Sequence, residues 1–266
     1  MILPAMRVVA ALLLAICAGA ATAGGVRLEE MSSPEVRDAI RAGTRTIIIP
    51  VGGVEQNGPH MALGKHDFRV QALAARIAAE LGDALVAPVV SYVPEGNISP
   101  PTEHMRYAGT ISIPEAAFKG VLAGAARSFR QHGFTHIVLI GDSGNYQPAL
   151  KAVADELNRE WRGGAARVHH IAEYYAAAQA PFHDLLRASG LSDAQIGSHA
   201  GAADTSLLMA VDSTHVWPKE MTPGNAKADG VTGDPTRASA ELGKSGLDLI
   251  VKRSVAAIRA ATAATR

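Results

Sequence analysis

The groups able to do chemistry crowd into one stretch, Thr44 to Asp67, which reads TRTIIIPVGGVEQNGPHMALGKHD. Glu55, Asn57, His60, His66 and Asp67 fall within it, just past an apolar run. Three further segments hold groups of the same kind. Glu103 and His104 lie in 92–110, Asp142, Ser143 and Asn145 in 142–147, and His199 and Asp204 in 197–206. Carboxylates and imidazoles together are the ligand set of zinc, manganese or iron hydrolases. A carboxylate shared by two ions would suit a centre that activates water.

These residues also have plainer readings. Asp67 ahead of a helical run could cap the helix. Asp204 could stabilise a helix start through the dipole. Glu55 could be a surface carboxylate, but it stands only a few residues past an all-apolar strand. His169 and His170 lie inside a strand pattern and read as structural.

The elements that would position the groups follow from hydrophobic period. Residues 45–51, 84–90, 136–141 and 167–171 are short apolar runs of the kind that form buried strands. Helical spacing predicts helices from about Ser33, as N-cap, to Ala42, over 68–81, 114–131, 148–161, 174–189 with a break near Pro181, 202–210 and 237–262. The proline- and glycine-rich stretch 92–110 predicts a long loop, which in a compact domain usually carries function. Strands alternating with helices predict an α/β fold with a mostly parallel sheet covered on both faces. Loops at the carboxyl ends of its strands are where ligands bind.

The 266-residue chain carries 25 basic and 25 acidic side chains. No basic excess points to nucleic acid. Arg7, the apolar run Val8–Cys17 and Ala21-Thr22-Ala23 form a signal-peptide pattern. The expectation is a signal over 1–23, a single domain over 24–266, and a periplasmic or secreted product with no membrane association after cleavage. Cys17 is the one cysteine, so cleavage would leave no thiol for a disulfide, a metal or a nucleophile.

Pro50 to Asp67 resembles the signature of the creatininase family (creatinine amidohydrolases), P-x-G-S-x-E-Q-H-G-P-H-L-P-L-x-T-D. Glu103-His104 with Gly109-Thr110-Ile111-Ser112 resembles its E-H-x-x-F-P-G-T-I-S. Ile137–Asn145 resembles I-V-x-x-N-G-H-G-G-N, His199–Ser206 resembles H-A-G-x-x-E-T-S, and Gly230–Pro235 resembles G-V-x-G-D-P. The resemblance implies a three-layer α/β/α sandwich, often hexameric, with a two-metal centre that hydrolyses a C–N bond of an amide or cyclic amide in a small molecule. It implies Glu55 and Asp67 as metal ligands and His199 as a proton carrier. The expected site then has Glu55, Asp67, Asp142, Asn57, Asp204 and His66 toward the metal, and His199 and Glu103 in catalysis. His60, His104, Ser143 and Asn145 would bind substrate.

The departures from the pattern bear on that site. Asn57, Asp142 and Asp204 replace a histidine, a histidine and a glutamate. Oxygen donors in place of imidazoles make the site harder, closer to Mg, Ca or Mn than to Zn. Lys65 could even place a cation where a metal would be. Two other readings stand beside hydrolysis by metal-activated water: a small-molecule-binding protein that has lost turnover, and a metal-free hydrolase using Ser143 or Ser198 outside any G-x-S-x-G elbow.

Overall fold

In a computed structural model, residues 25–224 and 228–264 are described. The signal segment expected over 1–23 lies outside them. The sheet has four strands: β1 (Thr46–Val51), β2 (Ala84–Val86), β3 (His136–Gly141) and β4 (Arg167–His170). All pairings are parallel and the order is β2-β1-β3-β4. Pro88, which has no N–H to give, ends the regular part of β2 before the predicted 90. The chain still runs beside β1 there, with Val90 N donating to Pro50 O and Gly52 N donating to Val90 O.

Nine α-helices accompany the sheet among the described residues: α1 (Ser33–Ala42), α2 (Lys65–Leu81), α3 (Glu115–His132), α4 (Gln147–Glu160), α5 (Ala172–Ala177), α6 (Ala180–Ala188), α7 (Asp193–Ile196), α8 (Ala202–Asp212) and α9 (Ala240–Ala263). Ser32 rather than Ser33 caps α1, and the predicted break near Pro181 separates α5 from α6.

Alternate residues of each strand enter different cores, because successive strand side chains point to opposite faces. Ile48, Val138 and Ile140 pack with Val70, Leu73 and Ile77 of α2 and with Leu247, Ile250 and Val251 of α9. Ile47, Ile49, Ile137 and Leu139 pack with Phe118 and Leu122 of α3 and with Leu150, Val153 and Leu157 of α4. The result is an α/β/α sandwich, as expected. Each such side chain contributes roughly 1.5–3 kcal/mol by leaving water.

β1 lies between β2 and β3, so the chain leaves β1 toward one edge of the sheet and β3 toward the other. That reversal opens a crevice at the carboxyl ends of β1 and β3. Tyr146 closes its floor. Its hydroxyl accepts from Asp142 N (3.0 Å) and Ser143 N (2.9 Å) and donates to Gly52 O (2.7 Å), tying both strand ends together in a fully buried position. Gly52 is required here, since a Cβ would stand 2.0 Å from Asp67 Oδ1 and 2.8 Å from Asp67 Cα.

Removing the phenol oxygen strands the buried Ser143 N–H, whereas Asp142 N keeps Val51 O at 3.1 Å. Tyr146→Phe is expected to cost about 1–3 kcal/mol in urea-induced unfolding, with little change in far-UV circular dichroism.

Candidate active site

The start of α2 builds the centre of the site. The helix begins at Lys65, three residues before the predicted start. Successive helical residues turn by about 100°. Lys65, Arg69 and His66 therefore share an arc about 100° wide, while Asp67 lies a further 100° round. The first three are buried and face the crevice. Asp67 faces away, and its Oδ1 accepts from Gly53 N at 2.8 Å. Burial raises its pKa, with Gly53 N and Ser91 acting against the rise. Asp67, expected as a metal ligand, instead fastens the β1 turn to α2.

His66 takes the inward position. Counted residue by residue from Pro50, the signature's threonine and aspartate fall on Lys65 and His66, so the match to Asp67 was out of step by one. His66 Nε2 lies 2.8 Å from Glu55 Oε1 and its Nδ1 lies 2.6 Å from Asp142 Oδ2. Burial and Lys65 pull its pKa down, but Glu55 and Asp142 outweigh them and hold it at about 8. Both ring nitrogens face carboxylates, so both carry protons.

Lys65 Nζ, with a side chain 1% exposed, lies 3.3 Å from Glu55 Oε1 and 3.1 Å from Asp204 Oδ2. The Arg69 guanidinium donates to Asp204 Oδ1 (2.6 Å) and twice to Asp142 Oδ2 (2.8 and 2.6 Å). Tyr174 donates to Asp142 Oδ1 at 2.8 Å and Ala200 N to Asp204 Oδ2 at 2.9 Å. Burial works against the charge on Glu55, Asp142 and Asp204, yet the neighbouring cations hold all three below the usual carboxylate range. Three carboxylates thus meet an ammonium, a guanidinium and an imidazolium, and the charges balance.

His199 and His104 approach the other side of Glu55. His104 Nε2 is 3.4 Å from Glu55 Oε2, and His199 Nδ1 is 3.7 Å from Glu55 Oε1. Gln56 steadies both rings: its side-chain nitrogen lies 3.3 Å from His104 Nδ1 and 3.0 Å from His199 Nε2. Its backbone carbonyl lies 2.9 Å from His199 Nε2. An amide nitrogen only donates and a carbonyl only accepts, so these two contacts compete for Nε2; the shorter, to the carbonyl, takes the ring proton and leaves the lone pair on Nδ1, toward Glu55. Burial and Lys65 push the His199 pKa down to about 4, so the ring is neutral. A cavity of about 210 Å³ opens over this edge, lined by Glu55, Lys65, His104, Ser143, Asn145 and His199 among others. It suits a small polar molecule.

Other expected residues stand apart. Asn57 is fully buried and donates to Glu55 O and Ala62 O, both at 3.0 Å, so it shapes the loop. His60 bonds Thr205 Oγ1 at 3.1 Å and holds that loop to α8. Glu103 is exposed and borders a different cavity. Glu95 is the residue that sequence reasoning missed, although it lies in the flagged 92–110 loop. It is wholly buried, its Oε2 accepts from Asn145 Nδ2 at 3.0 Å, and its Oε1 has no hydrogen-bond partner among the described residues. Burial, then the Glu55 charge, pushes its pKa up to about 8.

The donors allow a test of the two-metal expectation, and they do not fit it. Lys65 and Arg69 occupy the space between Glu55, Asp142 and Asp204, and Asn57 turns its amide into the loop. A single ion is different. One ligand atom each from Glu55, His104 and His199 lie within 4.8 Å of one another. Donors about 2.0–2.1 Å from a tetrahedral ion stand about 3.4 Å apart, and two imidazoles with one glutamate are a known catalytic zinc set.

The sequence from residue 29 to 258 matches the family model for creatininase, creatinine amidohydrolase. The chain belongs to the creatininase family. Its relatives are hydrolases. It is 27% identical over 221 residues to the mycofactocin precursor peptide peptidase of Mycolicibacterium smegmatis, covering 74% of this chain and 78% of that one. It is 27% identical over 252 residues to the creatinine amidohydrolase of Pseudomonas putida, covering 86% and 95%. Among solved structures, one described as "Creatininase Mn" superposes with a TM-score of 0.75 at 24% identity over 89% of this chain and 98% of that one. This creatininase fold carries, among its described residues, one group of three donors able to hold a metal ion.

Two outcomes are expected. Arg69→Met leaves Asp142 and Asp204 short of a partner in a buried setting and should cost about 3–5 kcal/mol by chemical denaturation. The pH profile follows from His66 and Glu95, whose folded pKa values of about 8 exceed the ordinary 6.5 and 4.5. Their stabilisation is complete below those ordinary values and is lost as pH rises through 8. The His66 share is worth about 2 kcal/mol. Thermal midpoints should therefore fall between pH 6 and 8.5, and Glu95→Gln, which cannot ionise, should flatten the fall.

Proposed function

We propose that this protein hydrolyses an amide or cyclic-amide C–N bond in a small polar molecule, at the cavity beside Glu55, with one divalent ion (zinc, manganese or iron) held by Glu55, His104 and His199. The observation that carries the reading is the convergence of a buried carboxylate and two imidazoles, one presenting an unprotonated Nδ1, on a polar cavity. A ligating histidine typically donates its other N–H to a carbonyl, as His199 does to Gln56 O. When bound, the ion would supply Lewis acidity, polarising the substrate carbonyl and making water more acidic.

The chain's own groups do the rest. Ser143 and Asn145, on the loop after β3, border the cavity and orient the substrate. Glu95 holds a proton at neutral pH next to ionised Glu55, and this pair forms a separated acid and base. The signal-like residues 1–23 support export of the mature chain.

Elemental analysis of the mature protein after exposure to zinc or manganese, with an amide panel run on the same sample, tests the reading. One ion per chain is expected, with hydrolysis abolished by chelation and restored by metal. His199→Ala and Glu55→Gln should each lower metal affinity at least tenfold and activity at least a hundredfold. Metal-free protein that cannot be reconstituted, and that cleaves nothing, would sink it.

A further inference from the structure

The carboxylates that would grip a second ion are already fully engaged. Both oxygens of Asp142 accept protein donors, Oδ2 from Arg69 and His66 and Oδ1 from Tyr174. Both oxygens of Asp204 do the same, Oδ1 from Arg69 and Oδ2 from Lys65 and Ala200 N. Lys65 Nζ sits between Glu55 and Asp204, in the place an ion bridging those two residues would need. An incoming divalent cation would meet a buried ammonium and a buried guanidinium in a cluster whose net charge is already zero.

We propose that Lys65 and Arg69 are built-in cations standing in for a second metal, so that the centre takes at most one divalent ion and Lys65 supplies the donor that meets the substrate's carbonyl oxygen. An ammonium has three N–H donors. One bonds Asp204 and another faces Glu55 in an ion pair at 3.3 Å. The third is left for the cavity that Lys65 lines next to Glu55 and His199. Arg69, whose guanidinium donates to Asp142 and Asp204, is a positioning residue: it neutralises the two aspartates and fixes the Asp204 oxygens that hold Lys65 in place. A preorganised donor of this kind acts where charge develops on an oxygen, without reorganising at the moment of reaction. The inference rests on placing catalysis at this cavity, but its central claim concerns cation occupancy and can be read without a substrate.

The test is calorimetric titration of the mature protein with zinc and with manganese, paired with elemental stoichiometry, for the natural sequence, Lys65→Met and Lys65→Arg. The natural protein should take no more than one ion per chain. Lys65→Met removes the charge at nearly constant length, so it should gain a second ion or bind at least tenfold more tightly, whereas Lys65→Arg should behave as the natural protein. Two ions per natural chain would overturn the proposal even if neither variant folds, and so would folded Lys65→Met with unchanged metal binding. If the natural protein binds no ion and shows no turnover while Lys65→Met acquires metal, the catalytic reading falls and the built-in cations stand. With an amide substrate in hand, Lys65→Met should lower kcat by about 10²–10³, with Lys65→Arg partly restoring it.

Discussion

The structure of the site depends on an electrostatic constraint: three carboxylates, two buried and one half-buried, at the end of a hydrophobic sheet must be neutralised. Isolated buried ions are prohibitively costly, and burial is tolerated only when partners and hydrogen bonds are complete. Here the partners are Lys65, His66 and Arg69, all from the first five residues of one helix. The need to present them together to Glu55, Asp142 and Asp204 explains why α2 starts at Lys65, why that end is buried, and why Asp67 is turned away. It also explains the spread of pKa values, with carboxylates that have cationic partners held ionised and Glu95, beside Glu55 without a cation of its own, held neutral.

The scaffold meets that constraint through the order of its strands. Loops after β1 and β3 diverge at the switch point, which leaves room for α2 to aim its first turn between them. Tyr146 fixes the two strand ends relative to each other and so sets the separation of Glu55 and Asp142. The loop carrying His199 is held from outside: Ser198 N and His199 N both donate to Thr232 O. Met61, Ala200, Leu208, Val216 and Val231 form a small apolar cluster beneath these loops. A site assembled from distant segments needs such supports, because an imidazole displaced by about 1 Å no longer shares a ligand position with its neighbours.

The family is shared with hydrolases, and the fold is retained at low identity. The departures from the family signature at Asn57, Asp142 and Asp204 touch this charged centre or its loop. Asp142 pairs with an arginine and a tyrosine, Asp204 with an arginine and a lysine, and a histidine joins Glu55 to Asp142. These substitutions compensate one another. Changing any one alone would leave an ion without its partner, so the cluster behaves as a unit, and single-site effects there should not add.

Much of this was legible in the amino-acid order. Short apolar runs marked the strands, helical spacing marked most helices, and a proline-rich loop marked itself as irregular. The ordered series of motifs identified the creatininase resemblance and pointed to Glu55, His104, Asp142, His199 and Asp204. What one-dimensional reading could not supply was direction. Lys65, His66 and Asp67 are neighbours in sequence, yet a helical turn sends the first two inward and the third to the Gly53 amide. Glu95 lay unnamed in the 92–110 loop, and only folding buried it in the site. Periodicity and residue type are local properties written in the chain. Which side chains face one another, and which charges cancel, depends on the packing of segments far apart in sequence, and only the tertiary structure decided that.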